Sequence, residues 1–455
     1  MRLLASFGRS APALRNLCTP VNMMLAPPKL PGLTKIEKEK FTKTISVPVV
    51  KVAEEENKKL QSVIKQLKKF VLKVEKFHPI TKGKIFLNPD VVRTWNDLPV
   101  ENLKELEIDS TAFSFEEIEL TYMNWRADEL VKAIIPEGIE PATSYSKIGH
   151  ILHMNLKDSL LPYKTAIAQI YLDKTPGART IINKAQSIDN TFRNFQIDLL
   201  LGDADYQVQT KENGVTFEFD FASVYWNPRL SSEHERLVKM LKPNDFLYDV
   251  FAGVGPFAVP AGKKRVQVLA NDLNPHSFKW LEHNVAKNKV LTQVKTFNKD
   301  GRDFILEEIK KNLLERIEKR SEDMKEYSIH IAMNLPGLAV TFLEAFVGLL
   351  KNNEKGIKSS DKIPTPICHC YCFVKGVEDP KVMAQKLVEE NIGFELKHGE
   401  TLKEISFVRN VAPNKDMMRV DILLNSNILF DEFSYKRVSR HHDEPLPNKK
   451  QCKVT

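Results

Sequence analysis

A short apolar run ends at Asp249, and two glycines, Gly253 and Gly255, follow it closely. Glycine lets a backbone approach a ligand where a Cβ would collide. A second apolar run, Val266 to Ala270, ends at Asn271 and Asp272. Asp272 stands 19 residues after Gly253, about the spacing at which a carboxylate meets a pair of ribose hydroxyls. Together these residues describe an adenosine-binding corner at the carboxyl ends of parallel strands. Gly253, Gly255 and Ala258 also fit the relaxed dinucleotide pattern. Two features favour S-adenosylmethionine over NAD. Asp249 lies within its strand, where a carboxylate meets a methionine ammonium or else positions loop amides. Pro256 follows Gly255, where a phosphate-binding turn needs free N–H donors, and S-adenosylmethionine carries no phosphate. A third run, Lys295 to Phe297, leads to Asp300 and Gly301. The carboxylate suits an adenine amino group and the glycine leaves room for the ring; the alternative is an ordinary turn.

The acceptor side begins where Ile329 to Met333 runs into Asn334, Leu335 and Pro336. An asparagine oxygen held by a proline-stiffened turn can accept from a planar N–H of the acceptor. This favours methylation of a nucleobase or amide nitrogen; the alternative is a plain strand-to-helix turn. Upstream, Asn227 to Arg236 opens a helix that runs through Leu241. Ser232 and Glu235 have the spacing of a capping box. Glu233 is left over in the first turn, where the helix dipole favours its ionised form. A carboxylate there can take the proton that a ring nitrogen loses around methyl transfer. His234 lines the cofactor pocket or lies on the surface. Cys368, Cys370 and Cys372 alternate on one strand and share a face, but without zinc-site spacing, so a buried structural role is expected.

The elements that position these groups follow a helix, strand, glycine-loop, helix rhythm from about residue 226, which argues a parallel sheet covered on both faces. Short strands are expected at Tyr145–Leu156, Thr180–Asn183, Phe195–Leu200, Tyr206–Thr210 and Thr216–Phe221. Glu54 to Phe77 reads as one amphipathic helix, with Leu60, Val63, Ile64, Leu67, Val71 and Val74 on its apolar face among seven lysines. Residues 307–327 read as a solvated charged helix inserted in a loop. The expected boundaries are 1–30 as presequence or disordered segment, 31–138 as an N-terminal recognition domain, 139–225 as a mixed α/β domain, 226–433 as the catalytic domain and 434–455 as a polar, disordered tail.

Composition sets the outer limits. The 455 residues are 42% hydrophobic and 28% charged, which excludes a wholly disordered chain. Five cysteines exclude a disulfide scaffold, and no apolar stretch suffices for a spanning helix. The net charge of +8 is unevenly spread: residues 1–80 carry a net +10 and residues 81–140 a net −7. A basic segment of that kind suits nucleic acid or an anionic surface. No acid precedes Glu37, while Arg2, Arg9 and Arg15 are interleaved with Leu3, Leu4, Phe7, Leu14 and Leu17. That is the description of a mitochondrial presequence. Initiation at Met23 or Met24 would remove all three arginines, so dual targeting to the mitochondrial matrix and to nucleus and cytoplasm is expected.

Six segments in combination resemble the eukaryotic and archaeal tRNA (guanine-37-N1)-methyltransferase family, its animal members most closely. They are Ser146 to His153, Val224 to His234, Asp249 to Phe257, Ala270 to Pro275, Met333 to Pro336 and Val408 to Pro413. The resemblance implies an α/β fold: a class I, Rossmann-like methyltransferase domain preceded by smaller α/β tRNA-recognition domains. It implies S-adenosylmethionine as donor, N1 of guanine 37 beside the anticodon as acceptor, a role in reading-frame maintenance, and a monomer without obligate protein partner. His234, Asp272, Leu273, Asp300, Gly301 and Asn334 fall at family cofactor positions, Glu233 at the general base, and Arg193 where an arginine helps stabilise charge at the guanine. A related enzyme that transfers the aminocarboxypropyl group in the wybutosine pathway is the alternative, and Asn334-Leu335-Pro336 argues against it. An NAD-dependent oxidoreductase has only the glycines and Asp272 in its favour.

Overall fold

The computed structural model describes residues 24–53, 56–142, 144–188, 195–319, 326–360 and 362–431. The arginines of the expected presequence, the tail from Tyr435 and Arg193 lie outside these residues. The chain divides into two compact units, 1–144 with 156–176 and 145–155 with 177–455. The segment 139–225 contributes to both.

The first unit holds a four-stranded antiparallel sheet of β1 (Lys43–Lys51), β2 (Ile80–Thr81), β3 (Lys84–Phe86) and β4 (Phe113–Leu120), in the order β2-β3-β1-β4. Its α-helices are α1 (Asn57–Leu67), α2 (Val100–Glu105), α3 (Ala127–Ile134) and α4 (Lys164–Lys174). Val63 and Leu67 of α1 are buried against Val50, Ile85 and Leu87, with Leu60 and Ile64 beside them. The apolar face is therefore as expected, but the helix stops at Leu67 rather than Phe77. The chain beyond it pairs with the end of β3: Leu72 N donates to Phe86 O at 2.9 Å and Asn88 N to Phe70 O at 2.8 Å. Pro79 also disfavours helical backbone just before it, and Lys76 takes a positive φ of 52°.

In the second unit, β5 (Ser146–Ile148), β6 (Ile151–Met154), β7 (Thr180–Ile188) and β8 (Phe195–Gly202) form a sheet in chain order. β9 (Gln207–Glu212) and β10 (Val215–Asp220) form a hairpin. The large sheet contains β11 (Phe246–Asp249), β12 (Gln267–Asn271), β13 (Val294–Phe297), β14 (Ile329–Met333), β15 (Ile367–Lys375), β16 (Leu402–Ala412) and β17 (Lys415–Leu423). Its order is β13-β12-β11-β14-β15-β17-β16, with β11 to β15 parallel and the last two strands antiparallel. The expected strand ends agree with β11 to β14 to within a residue or two. Order reverses between β11 and β14, which opens a crevice at the carboxyl ends of these strands.

Strand alternation sorts the core into two layers. Leu247, Ala332 and Tyr371 pack with Leu237 of α5 (Ser231–Met240), Ala258 of α6 (Ala258–Lys263) and Leu281 of α7 (Pro275–Lys287). Tyr248, Ile331, Cys368, Cys370, Cys372 and Val420 pack on the other face. Covering that face are α8 (Gly301–Asp303), a π-turn at Phe304–Ile309, α9 (Lys310–Lys319) and α10 (Pro380–Ile392), and a short α11 (Ser426–Phe430) follows β17. The three cysteines are thus buried on one face, with free thiols. The charged segment at 307–327 differs from expectation. Leu313, Leu314 and Ile317 of α9 are buried in this core, so its lysines and glutamates clothe a helix that covers the sheet.

Candidate active site

The glycine loop between β11 and α6 is closed by the chain itself. Gly253 N donates to Asp272 Oδ2 at 2.8 Å, and Gly255 N donates to Ala252 O at 2.9 Å. Neither amide is left for a pyrophosphate, so the dinucleotide pattern lacks its usual donors here. Gly253 has φ +54° with open space where a Cβ would point. At Gly255, φ is +100° and a Cβ would come within 2.8 Å of Val259 and 2.9 Å of Leu281.

Asp272 ends β12 and binds the loop, also accepting from Asn274 N at 2.9 Å. Burial lifts its carboxyl to about 6 although both backbone amides pull it down. Asp249, at the end of β11, is fully buried and neither oxygen has a hydrogen-bond partner. Burial, then the charge of Asp272, pushes its carboxyl well above the usual range. The Phe251 amide of the loop pulls against that rise, and the Gly253 amide of the same loop is taken by Asp272. Asn334, at the end of β14, likewise has a buried Oδ1 without a partner. Two bare acceptors on adjacent strands, with two carboxylates hard to keep ionised, form a site suited to a cationic ligand.

Leu273 is 45% exposed at the lip of β12. Asp300 caps α8, accepting from Arg302 N at 2.8 Å, as in an ordinary turn. A Cβ on Gly301 would meet Phe251 at 2.8 Å and Phe342 at 3.2 Å. On the side where a Cβ would stand, the two phenyl rings already occupy the space.

Glu233 and His234 are both buried in α5. His234 is not on the surface: Nδ1 lies 2.6 Å from Glu212 Oε1 and its ring meets Phe257 edge-on at 4.8 Å. The expected capping box does not form. The helix begins at Ser231 without a side-chain cap, following a 3-10 turn, Pro228–Leu230, that Asn227 caps. Glu235 instead pairs with Lys239 at 2.8 Å on the surface.

Glu233 is held by residues that sequence reasoning did not single out. Its Oε1 accepts from Tyr371 Oη at 2.7 Å, Arg236 Nη2 at 2.8 Å and Arg419 Nη1 at 3.2 Å. Oε2 accepts from Arg236 Nε at 2.8 Å. Burial would raise its carboxyl, but the hydrogen bonds from Arg236 and Tyr371 and the charges of Arg236 and Arg419 hold it below the ordinary carboxylate range. The available signal was titratable residues at alternate positions of otherwise apolar strands: His330, His369 with Tyr371, and Arg419 with Asp421.

Residues 208–357 match the family described as the TRM5/TYW2 methyltransferase domain, and residues 127–205 match the TYW2 N-terminal domain. The chain is 51% identical over 410 residues to a tRNA (guanine(37)-N(1))-methyltransferase of Drosophila pseudoobscura pseudoobscura, covering 89% of this chain and 91% of that protein. It is 51% identical over 417 residues to the protein of that name from Drosophila melanogaster, covering 90% and 89%. Among solved structures, Trm5b of Pyrococcus abyssi superposes with a TM-score of 0.55 at 22% identity, covering 83% of this chain and 98% of that one, a likeness of fold.

Proposed function

The chain belongs to the tRNA (guanine(37)-N(1))-methyltransferase family, and from that premise we infer that it transfers a methyl group from S-adenosylmethionine to N1 of guanine 37 in tRNA. The observation that carries the reading is the unpartnered Oδ1 of Asn334 beside the bare carboxylate of Asp249, at the ends of neighbouring strands. Asp249, Gly253, Gly255, Asp272, Leu273 and Asp300 would hold the cofactor, with Asp249 opposite its positive charge. His234 and Gly301 would line the same pocket, His234 packed on Phe257 and Gly301 against Phe251. When bound, the cofactor supplies a methyl group on a positively charged sulfur.

On the acceptor side, Asn334 orients the guanine edge through Oδ1. Glu233 takes the N1 proton on Oε2, the oxygen with a single donor. A carboxylate held this low is a weak base, so it serves only as N1 gains positive charge with the methyl and its proton becomes acidic. Arg193 supports charge at the guanine by the family resemblance. We further propose a monomer, maintenance of the reading frame as the biological role, and import of the form starting at Met1 into mitochondria, with forms starting at Met23 or Met24 serving nucleus and cytoplasm. Imaging C-terminally tagged forms that start at Met1 or at Met24 tests the last point. Mitochondrial signal from the Met24 form, or none from the Met1 form, refutes it.

Activity is tested by incubating the full chain with tRNA transcripts carrying G37 or A37 and S-adenosylmethionine labelled in either the methyl or the carboxyl group. The expected product is 1-methylguanosine, made only with G37 and labelled only from the methyl. Transfer of carboxyl label would establish aminocarboxypropyl transfer instead.

A further inference from the structure

We propose that Arg419 is a positioning residue for Glu233, and that Asp421 and His369 set the orientation of its guanidinium. The proposal rests on the proton-accepting role given to Glu233 above. Arg419 has a 3% exposed side chain and uses its whole fork. Nε donates to Asp421 Oδ1 at 2.9 Å, Nη1 to Glu233 Oε1 at 3.2 Å, and Nη2 to Ser406 Oγ at 3.0 Å and Glu404 Oε2 at 3.4 Å. Asp421 Oδ1 also meets His369 Nδ1 at 2.8 Å, and His369 Nε2 meets His330 Nδ1 at 2.9 Å in a buried stack. Positions 330, 369, 371, 419 and 421 alternate with core residues of the opposite layer, so all five face the α5 side of the sheet.

The network therefore runs across three strands and ends on the carboxylate. The other charged and titratable groups near Glu233 are Arg236, Tyr371, and the His234–Glu212 pair. Arg236 comes from the same helix and its side chain is 30% exposed, so it can swing off Glu233 into water. Arg419 cannot leave without breaking its bonds to Asp421 and Ser406, a costly change for a buried charge pair. Arg419 and Tyr371 thus fix Oε1 while Arg236 is free to yield Oε2.

The test measures single-turnover methyl transfer by the full chain across pH, with saturating S-adenosylmethionine and G37 tRNA transcript. Arg419→Met is expected to slow transfer roughly ten- to hundredfold at neutral pH, with cofactor and tRNA affinities within about twofold of wild type. Loss of the positive neighbour raises the Glu233 carboxyl, so the acid limb of the profile moves to higher pH. Arg419→Lys restores the limb. Asp421→Asn slows transfer less, and adds little in the Arg419→Met background because the two act as one unit. A wild-type rate and limb in Arg419→Met, with Glu233→Gln slow, overturns the proposal and leaves Glu233 as base. A wild-type rate in Glu233→Gln overturns the base itself. If Arg419→Met fails to fold, the near-isosteric Asp421→Asn decides: an unshifted limb at full rate overturns the proposal.

Discussion

Asp249 is fully buried and Asp272 half-buried before any ligand arrives, and this couples cofactor binding to protons. Asp272 titrates near 6 in the free chain because burial opposes its charge. A ligand that prefers the ionised form must expel that proton, so S-adenosylmethionine affinity rises as pH is raised through about 6. Calorimetry in buffers of different ionisation heat would register the released proton. Asp272→Asn should weaken binding by about 1.5–3 kcal/mol, or roughly ten- to hundredfold, and flatten this dependence. Unchanged affinity would mean the corner is misassigned. The neighbours Glu233 and Glu235 separate cleanly. Glu233→Gln should slow single-turnover transfer by on the order of 10²–10⁴. Glu235→Gln removes only an exposed pair with Lys239, worth about 0–1 kcal/mol, and should leave the rate alone. Equal losses from both would refute this division of roles.

Among the elements, α9 departs furthest from its sequence appearance. Charge density suggests a solvated helix, yet Leu313 is fully buried. Leu313→Ala should destabilise the protein by about 2–5 kcal/mol, as core truncations do, and lower its melting temperature measurably. A helix standing in water would give no change. The turn at Gly301 is similarly constrained: Gly301→Ala drives a methyl against the rings of Phe251 and Phe342. Overpacking of this kind costs about 1–3 kcal/mol. Since Phe251 follows β11 directly, cofactor affinity measured by titration should fall with stability.

For the molecule as a whole, the acceptor is a polyanion and the chain's charge is concentrated early. Lys58, Lys65, Lys68 and Lys69 lie exposed on or just after α1. Changing all four to glutamine should weaken tRNA binding and reduce the salt slope, by up to about 0.9 for each phosphate no longer neutralised. S-adenosylmethionine affinity should be unaffected. An unchanged slope in filter-binding across salt concentrations would give the basic face another purpose.

Local sequence was enough to specify the parallel strands β11 to β15, though not the antiparallel pair β16 and β17 that completes the sheet, along with the strand ends at Asp249, Asp272 and Asn334 and the placement of Glu233 early in a helix. Those readings rest on short apolar runs, glycine loops and period-two or period-3.6 patterns, which are local. Tertiary packing settled what each group touches. Ser232 and Glu235 had capping-box spacing, but the preceding 3-10 turn started the helix early and left both uncapped. The stripe from Leu60 to Val74 kept a helical period, yet Val71 and Leu72 were drawn to the strand near Leu87 because pairing there buries them. The spacing assigned Asp272 to a ribose and left Asp249 either an ammonium or the loop amides; only the fold showed Asp272 itself holding the Gly253 amide. Apart from Arg236 on the same helix, the partners of Glu233 lie 138 and 186 residues away, at Tyr371 and Arg419. No local pattern encodes that distance, because it exists only once β15 and β17 are laid beside each other under α5.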